Sequence, residues 1–278
     1  MSIVDLLKVI VFGAAEGITE WLPISSTGHL LLLERWLPLG LSNDAMDFFL
    51  VFIQLGAVLA VCIGYFGRLC PVAKKGGAAW GEARALWARI FIGCLPAGVA
   101  GVLLDDALER LLYRGDAALL TVGSTLLIYG VAFIVLEHTR SKNGEECKQK
   151  HTITSACAFG IGCFQVLSLI PGTSRSGATI LGASLLGVGR REAAEFSFFM
   201  AVPLMLGASA LRGAKLLAEG TVLTKSEWGV LLVGFLVAFL VSFVTMRFLV
   251  DFVRRHSFRA FGWYRIVFGL FLLLSFAV

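Results

Sequence analysis

Apolar runs of membrane-spanning length, roughly 17–25 residues, recur from one end of this sequence to the other, so its helices must be ones that lipid can surround. In hydrocarbon every backbone polar group has to be satisfied internally, which leaves helices or closed barrels. Barrel strands would show short segments of alternating polarity, and these runs do not alternate. Composition agrees: of 278 residues 58% are hydrophobic and 15% charged, against about 45–50% and about 25% in soluble domains. The start, "MSIVDLLKVIVFGAAEG", has no basic segment ahead of its apolar stretch, which argues against a cleaved signal peptide. The six cysteines show no metal-type or redox-type pairing and read as small buried hydrophobes. A net charge of +5 bears on loop orientation in such a chain, and no nucleic acid partner is expected.

Ten hydrophobic segments fall near residues 3–15, 17–33, 47–66, 88–104, 116–136, 152–164, 166–187, 194–211, 228–250 and 260–277. The first, second, sixth and seventh are short or interrupted, and each pair is joined through polar, glycine-containing sequence. The two halves look alike. Pro23 precedes Ile-Ser-Ser-Thr-Gly and Pro171 precedes Gly-Thr-Ser-Arg-Ser-Gly, and 24 residues after each proline stands an acid followed by phenylalanine, Asp47-Phe48 and Glu195-Phe196. The shared offset of 148 residues argues for a duplicated unit, with chance likeness between greasy helices as the competing reading. One re-entrant hairpin plus three full spans per half would invert the second half relative to the first. The expected fold is therefore an all-α polytopic membrane protein with an inverted-topology repeat, six spanning helices and two re-entrant helix-loop-helix hairpins. It forms one transmembrane domain, 1–278, with repeat 1 over about 1–138 and repeat 2 over about 150–278. Broken backbone at membrane depth is tolerated only where protein or a cavity surrounds it, so the hairpin loops should line a site.

Charge supports this layout. Segments 67–89 (Arg68, Lys74, Lys75, Arg84, Arg89 against Glu82), 137–151 and 251–259 (Arg254, Arg255, Arg259 against Asp251) are net positive and fall on one face. Segments 34–47 (Glu34, Asp44, Asp47 against Arg35) and 105–116 (Asp105, Asp106, Glu109, Asp116 against Arg110, Arg114) are net negative and fall on the other; 212–227 goes slightly against the trend. The positive-inside rule puts the first face in the cytoplasm and both termini outside. Around "GGAAWGEARALWARI", Trp80, Trp87, Arg84 and Arg89 suggest a short helix lying at the cytoplasmic interface.

The polar stretches carry the chemistry. In "EGITEWLPISSTGHL", Glu16 and Glu20 are four apart and project from one helix face. A carboxylate left in hydrocarbon costs at least a few kcal/mol, and two on one face repel each other, so a divalent metal, Arg175 or protonation must offset them. Pro23 ends that helix; Ser25, Ser26, Thr27 and Gly28 form a hydroxyl-rich turn, and His29 opens the outgoing helix. In "PGTSRSGAT", Pro171 and Gly172 mark a break before Thr173, Ser174, Arg175, Ser176 and Gly177. Small residues let backbone approach a ligand, helix-start N–H groups point at anions, and arginine adds a fixed positive fork, with further hydroxyls at 173, 174, 176 and 179. This is the pattern of a phosphate cradle.

For any single hydroxyl, helix packing is the plainer reading, whereas a buried intramembrane glutamate or arginine points to function. His29 alone is ambiguous and gains weight beside two acids and a serine turn. His138, His151 and His256 sit in or next to charged loops and read as solvated, and Gln54 is left open. Acids for metal, histidine and hydroxyls for nucleophile or proton work, and an arginine cradle together suggest phosphoryl transfer on a lipid-borne phosphate.

At these residues the sequence resembles a known family. "EGITEWLPISSTGHL" and "PGTSRSGATI" are similar to the two signature motifs of the undecaprenyl-pyrophosphate phosphatases of the bacitracin-resistance type, and the likeness runs over nearly the whole chain, including "EFSFFMAVP". The resemblance implies hydrolysis of undecaprenyl pyrophosphate to the monophosphate and inorganic phosphate, which regenerates the lipid carrier for cell-wall synthesis. It further implies a divalent cation, Mg²⁺ or Ca²⁺, and a site facing the periplasm of a bacterial inner membrane. It makes Glu16 and Glu20 the acidic pair, Ser26 and His29 the nucleophile or proton-transfer groups, and Arg175 the pyrophosphate clamp. Ser174, Ser176 and Thr179 would help hold the phosphates. Attack by Ser26, by His29 or by a metal-bound water all remain open, as does pairing of two chains into a homodimer.

Two rivals come from other directions. A transporter or lipid flippase would also use inverted repeats meeting at a midplane site, but transport alone does not need a serine–histidine pair beside two acids. A lipid phosphatase of the phosphatidic-acid type is similar at "SSTGH", but it wants a later arginine–histidine–aspartate arrangement, and no histidine follows Arg175 until His256.

Overall fold

The computed structural model describes residues 2–70, 77–112, 115–142, 152–221 and 223–277. Among them the chain forms α1 (Ile3–Thr19), α2 (Ser26–Trp36), α3 (Asn43–Gly64), α4 (Phe66–Leu69), α5 (Gly77–Leu112) and α6 (Gly115–Lys142). It continues with α7 (Ser155–Val166), α8 (Arg175–Leu185), α9 (Arg190–Ala218), α10 (Lys225–Arg255) and α11 (Arg259–Ala277). Several starts are written locally. Ser2 with Asp5 and Thr224 with Glu227 form reciprocal capping boxes on α1 and α10, and Ser42 and Thr154 cap α3 and α7.

Among the described residues five helices, α3, α5, α6, α9 and α10, are long and apolar enough to cross a membrane. The chain is a multi-pass helical membrane protein. Its outward faces are apolar, with Ile128, Leu240, Val244 and Val267 each more than 60% exposed, as helices facing lipid rather than water require. By contrast, α2, α7 and α8 have 11, 12 and 11 residues. At 1.5 Å per residue they reach roughly 17–18 Å, well short of a hydrocarbon layer of about 30 Å. Both polar stretches are thus helix–break–helix units. The first break lies at Glu20–Ser25, because α1 runs on through Glu16 to Thr19 instead of ending near residue 15. The segment around Trp80 and Trp87 is not a separate interfacial helix. From Gly77 to Leu112 the helix is continuous over 36 residues; a single glycine, Gly81, does not end its alanine-rich start, and helix propagation carries it into the span. The Trp87 indole N–H donates to the Leu69 carbonyl at 2.9 Å and ties that start to α4.

Close packing sets the arrangement. Helix α1 lies against α10 and α7 against α5; α3 packs on α9 and α10, and α6 on α11. Glycines make the crossings tight: a Cβ on Gly56 would stand 2.2 Å from the Phe235 carbonyl oxygen, and one on Gly162 2.2 Å from that of Gly93. Away from the breaks, Glu137, 1% exposed, takes the guanidinium of Arg190 at 2.5 and 3.1 Å and the Phe258 N–H at 3.3 Å, joining α6, α9 and the α10–α11 turn. Glu195 is held by Arg68 and, at 2.9 Å, by Arg191. His138 and His256 are exposed, and Gln54 is half-buried. Lys74, Lys75, Arg114 and His151 lie outside the described residues, as do the side chains of Asp105, Asp106, Glu109, Arg110 and Asp116.

Candidate active site

The two breaks use the same local device. Ser25 has φ +75° and Ser174 φ +69°, the only non-glycine residues with positive φ among the described residues. Each serine caps the helix it precedes: Ser25 Oγ accepts from the Gly28 N–H at 3.3 Å, and Ser174 Oγ from the Gly177 N–H at 3.1 Å. Holding an L-residue there costs about 1–3 kcal/mol, and such strain clusters at functional sites. Before the second serine, Gly172 has φ +84°, and a Cβ on it would stand 2.2 Å from Thr125 Oγ1. That hydroxyl donates to the Pro171 carbonyl at 2.7 Å, so α6 pins the second break.

Between the breaks the polar side chains converge. Glu20 is 5% exposed. Its Oε2 accepts from the Ser26 hydroxyl at 2.7 Å, and its Oε1 accepts from Arg175 Nη2 at 3.0 Å and Nε at 3.3 Å. Arg175 Nη1 donates to the Ser197 carbonyl at 2.6 Å, and the guanidinium lies over the Trp21 ring. Ser176 Oγ is within bonding distance of the Glu20 and Leu22 carbonyls, at 3.0 and 3.2 Å, and of Ser174 Oγ at 3.1 Å. Thr179 Oγ1 bonds the Ser197 hydroxyl at 2.7 Å. The hydroxyls of Ser176 and Thr179 therefore fasten one hairpin to the other and to α9.

His29 points elsewhere. Its Nδ1 lies 2.7 Å from the Ser25 carbonyl, which can only accept, so in the neutral ring Nδ1 carries the proton. Nε2 then accepts from the Tyr264 hydroxyl at 2.7 Å, and the ring stacks on Phe268. Both nitrogens are occupied, whereas Ser26 is bonded to Glu20. Glu16, one helical turn before Glu20, is fully buried, and neither of its carboxylate oxygens finds a hydrogen-bond partner. An unpaired buried acid needs a cation or a proton to offset its charge. Among the described residues no three His, Cys, Asp or Glu side chains gather into a cage. Two carboxylates do fit a hard divalent ion that completes its shell with phosphate oxygens and water.

Two contributors were not singled out as site residues, although Ser197 stands within the "EFSFFMAVP" stretch quoted above. Ser197 lies 22 residues beyond Arg175 and binds it mainly through its carbonyl. Arg265, on α11, is wholly buried and donates to the carbonyls of Pro23 (3.1 Å), Gly172 (2.9 Å) and Thr173 (3.0 Å). Its signal was a single arginine inside the last apolar run, in "GWYRIVFG".

Fold and site together define a polytopic helical membrane protein whose two broken helices bring acid, hydroxyl and arginine together in its interior. The chain belongs to the family described as bacitracin resistance protein BacA, which it matches over residues 9–271. It is 46% identical to the undecaprenyl-diphosphatase of Enterococcus faecalis over 274 residues, 98% of each chain. It is 45% identical to that of Desulfitobacterium hafniense over 279 residues, 100% of this chain and 98% of the relative. With that of Streptococcus mutans the identity is 47% over 279 residues, covering 98% and 96%.

Proposed function

We propose that this chain hydrolyses undecaprenyl pyrophosphate to undecaprenyl phosphate and inorganic phosphate, returning the lipid carrier to cell-wall synthesis and conferring bacitracin resistance. The observation that carries this reading is the Ser26–Glu20–Arg175 chain of contacts, which offers a nucleophile, a base and an anion clamp in one buried place. Full-length likeness to proteins named undecaprenyl-diphosphatase supports the same substrate.

In this mechanism Ser26 Oγ attacks the terminal phosphorus while its proton passes to Glu20 Oε2, at 2.7 Å. A serine O–P bond forms, the anhydride P–O bond breaks, and the lipid monophosphate leaves. Glu20 passes that proton to the departing lipid monophosphate, then takes one from the water that attacks the phosphoserine and returns it to Ser26 Oγ as inorganic phosphate leaves. Arg175, aided by the Ser174, Ser176 and Thr179 turn, holds the pyrophosphate and balances charge developing on the leaving group. A divalent cation, Mg²⁺ or Ca²⁺, held by Glu16 and Glu20, would supply further neutralisation of the phosphates. His29, bonded to Ser25 and Tyr264, orients the start of α2.

The architecture that fits this chemistry is the inverted repeat, about 1–138 and about 150–278, with α11 as a sixth span and two hairpins entering from opposite sides. The matched serine caps and the packing of α1 on α10 and α7 on α5 support it. The charge bias of the loops favours an inner-membrane orientation with the site toward the periplasm and both termini outside.

The test is phosphate release from undecaprenyl pyrophosphate by purified, detergent-solubilised protein, with Mg²⁺, Ca²⁺ or chelator. Release that stops on chelation and in Glu20→Gln and Arg175→Ala supports the reading. No release from folded protein with any metal would favour a lipid flippase instead.

A further inference from the structure

Arg265 is a guanidinium with no surface exposure, carried by the apolar helix α11. No carboxylate among the described residues forms an ion pair with it; the Tyr129 ring lies 5.3 Å from its centre. A buried charge of this kind is expensive in a membrane interior, and an apolar side chain would serve packing better. What it holds is specific. Its three hydrogen bonds all go to backbone carbonyls of the two breaks: Pro23, two residues before the left-handed Ser25, and Gly172 and Thr173, immediately before the left-handed Ser174. Carbonyls in a break lack helical partners and need donors from elsewhere. Room for the group is kept by Gly177, where a Cβ would stand 3.0 Å from Arg265 Nη1.

From this geometry we propose that Arg265 is a positioning residue for the phosphatase reaction. A single planar fork sets the first break, which carries Glu20 and Ser26, against the second, which carries Ser174 and Arg175. Nucleophile and anion clamp then face the same phosphate. Both terminal nitrogens are engaged by these three carbonyls, Nε is buried without a partner, and the side chain has no surface exposure, so Arg265 acts through the loops rather than on substrate. The inference rests on the phosphatase reading above.

The experiment measures kcat, KM and the thermal unfolding midpoint for full-length wild type, Arg265→Gln and Arg265→Lys on undecaprenyl pyrophosphate. Wild type must release phosphate; if it does not, the phosphatase reading fails independently of Arg265. Given wild-type activity, Arg265→Gln should lower kcat by about a hundredfold, the effect of roughly 1 Å of misplacement, with KM within about threefold because Arg175 remains. Arg265→Lys, keeping the charge and some donors, should recover part of kcat. Arg265→Gln keeping kcat within threefold of wild type overturns the proposal. So does a kcat loss that tracks the loss of folded protein, or failure of both variants to fold, since the arginine would then serve the fold alone.

Discussion

Ser26 Oγ lies 2.7 Å from Glu20 Oε2 across the first break, and the other oxygen of that acid is held by Arg175 at 3.0 Å. In the proposed mechanism the serine hydroxyl thus has its base in place, and that acid is held by an arginine from the other half of the chain. Removing the proton acceptor should be felt in the chemical step. Glu20→Gln is expected to lower kcat by about 10²–10⁴-fold, and Ser26→Ala at least as much, with little change in KM. Steady-state phosphate release checks both, and a Ser26→Ala protein with near-normal kcat would transfer the attack to water.

Because both ring nitrogens of His29 are engaged by Ser25 and Tyr264, the Tyr264 hydroxyl orients the ring and takes no part in proton transfer. Tyr264→Phe should therefore cost less than about tenfold in kcat, well below a general-base deletion. A hundredfold loss would place the histidine–tyrosine pair in the proton path.

Arg175 and Glu20 are 8% and 5% exposed, a buried pair. Deleting one partner strands the other, so Arg175→Ala should destabilise the protein by about 3–5 kcal/mol besides abolishing phosphate release. Adding Glu20→Gln to Arg175→Ala should restore part of that stability without activity. Chemical or thermal unfolding of the four proteins measures the coupling.

Glu16 behaves in the opposite way. With both oxygens unpartnered, its carboxylate opposes folding when no cation is bound. In chelator, Glu16→Gln should raise the unfolding midpoint above wild type, while its phosphate release with Mg²⁺ falls at least tenfold. Stabilisation of wild type by Mg²⁺ or Ca²⁺ should shrink in the variant. A cation shift that survives Glu16→Gln intact would locate the ion elsewhere.

The glycine crossings give a purely structural expectation. Gly56→Ala and Gly162→Ala each push a methyl group to within 2.2 Å of a backbone oxygen on the neighbouring helix, which cannot yield cheaply. Each should cost about 1–3 kcal/mol of stability, seen as a lower unfolding midpoint. Gly98→Ala, facing open space, should have little effect.

The sequence alone determined that the chain is a multi-pass helical protein, because run length and the absence of alternation are local properties that hydrocarbon enforces segment by segment. It also located both breaks, since Pro23 and Pro171 stand beside clustered hydroxyls and glycine, whereas Pro96 and Pro203, which lack the hydroxyl cluster, sit inside continuous helices. It singled out Glu16, Glu20 and Arg175, since a charge inside an apolar run is too costly to be idle. Helix ends were less legible: α1 runs past Glu16, and the Trp80 segment merges into α5, because where no breaker stands only packing decides where a helix stops. Which base faces Ser26 was decided by tertiary structure alone. In sequence His29 is the nearer candidate, three residues after Ser26 against six before it for Glu20, yet the left-handed turn at Ser25 sends the hydroxyl to the glutamate and the imidazole to Tyr264, 235 residues away. The roles of Arg265 and of Ser197, the latter inside the quoted "EFSFFMAVP" stretch, were not legible either. Both residues act on or through backbone carbonyls, which every residue carries, so only the folded chain reveals which carbonyls lie within reach.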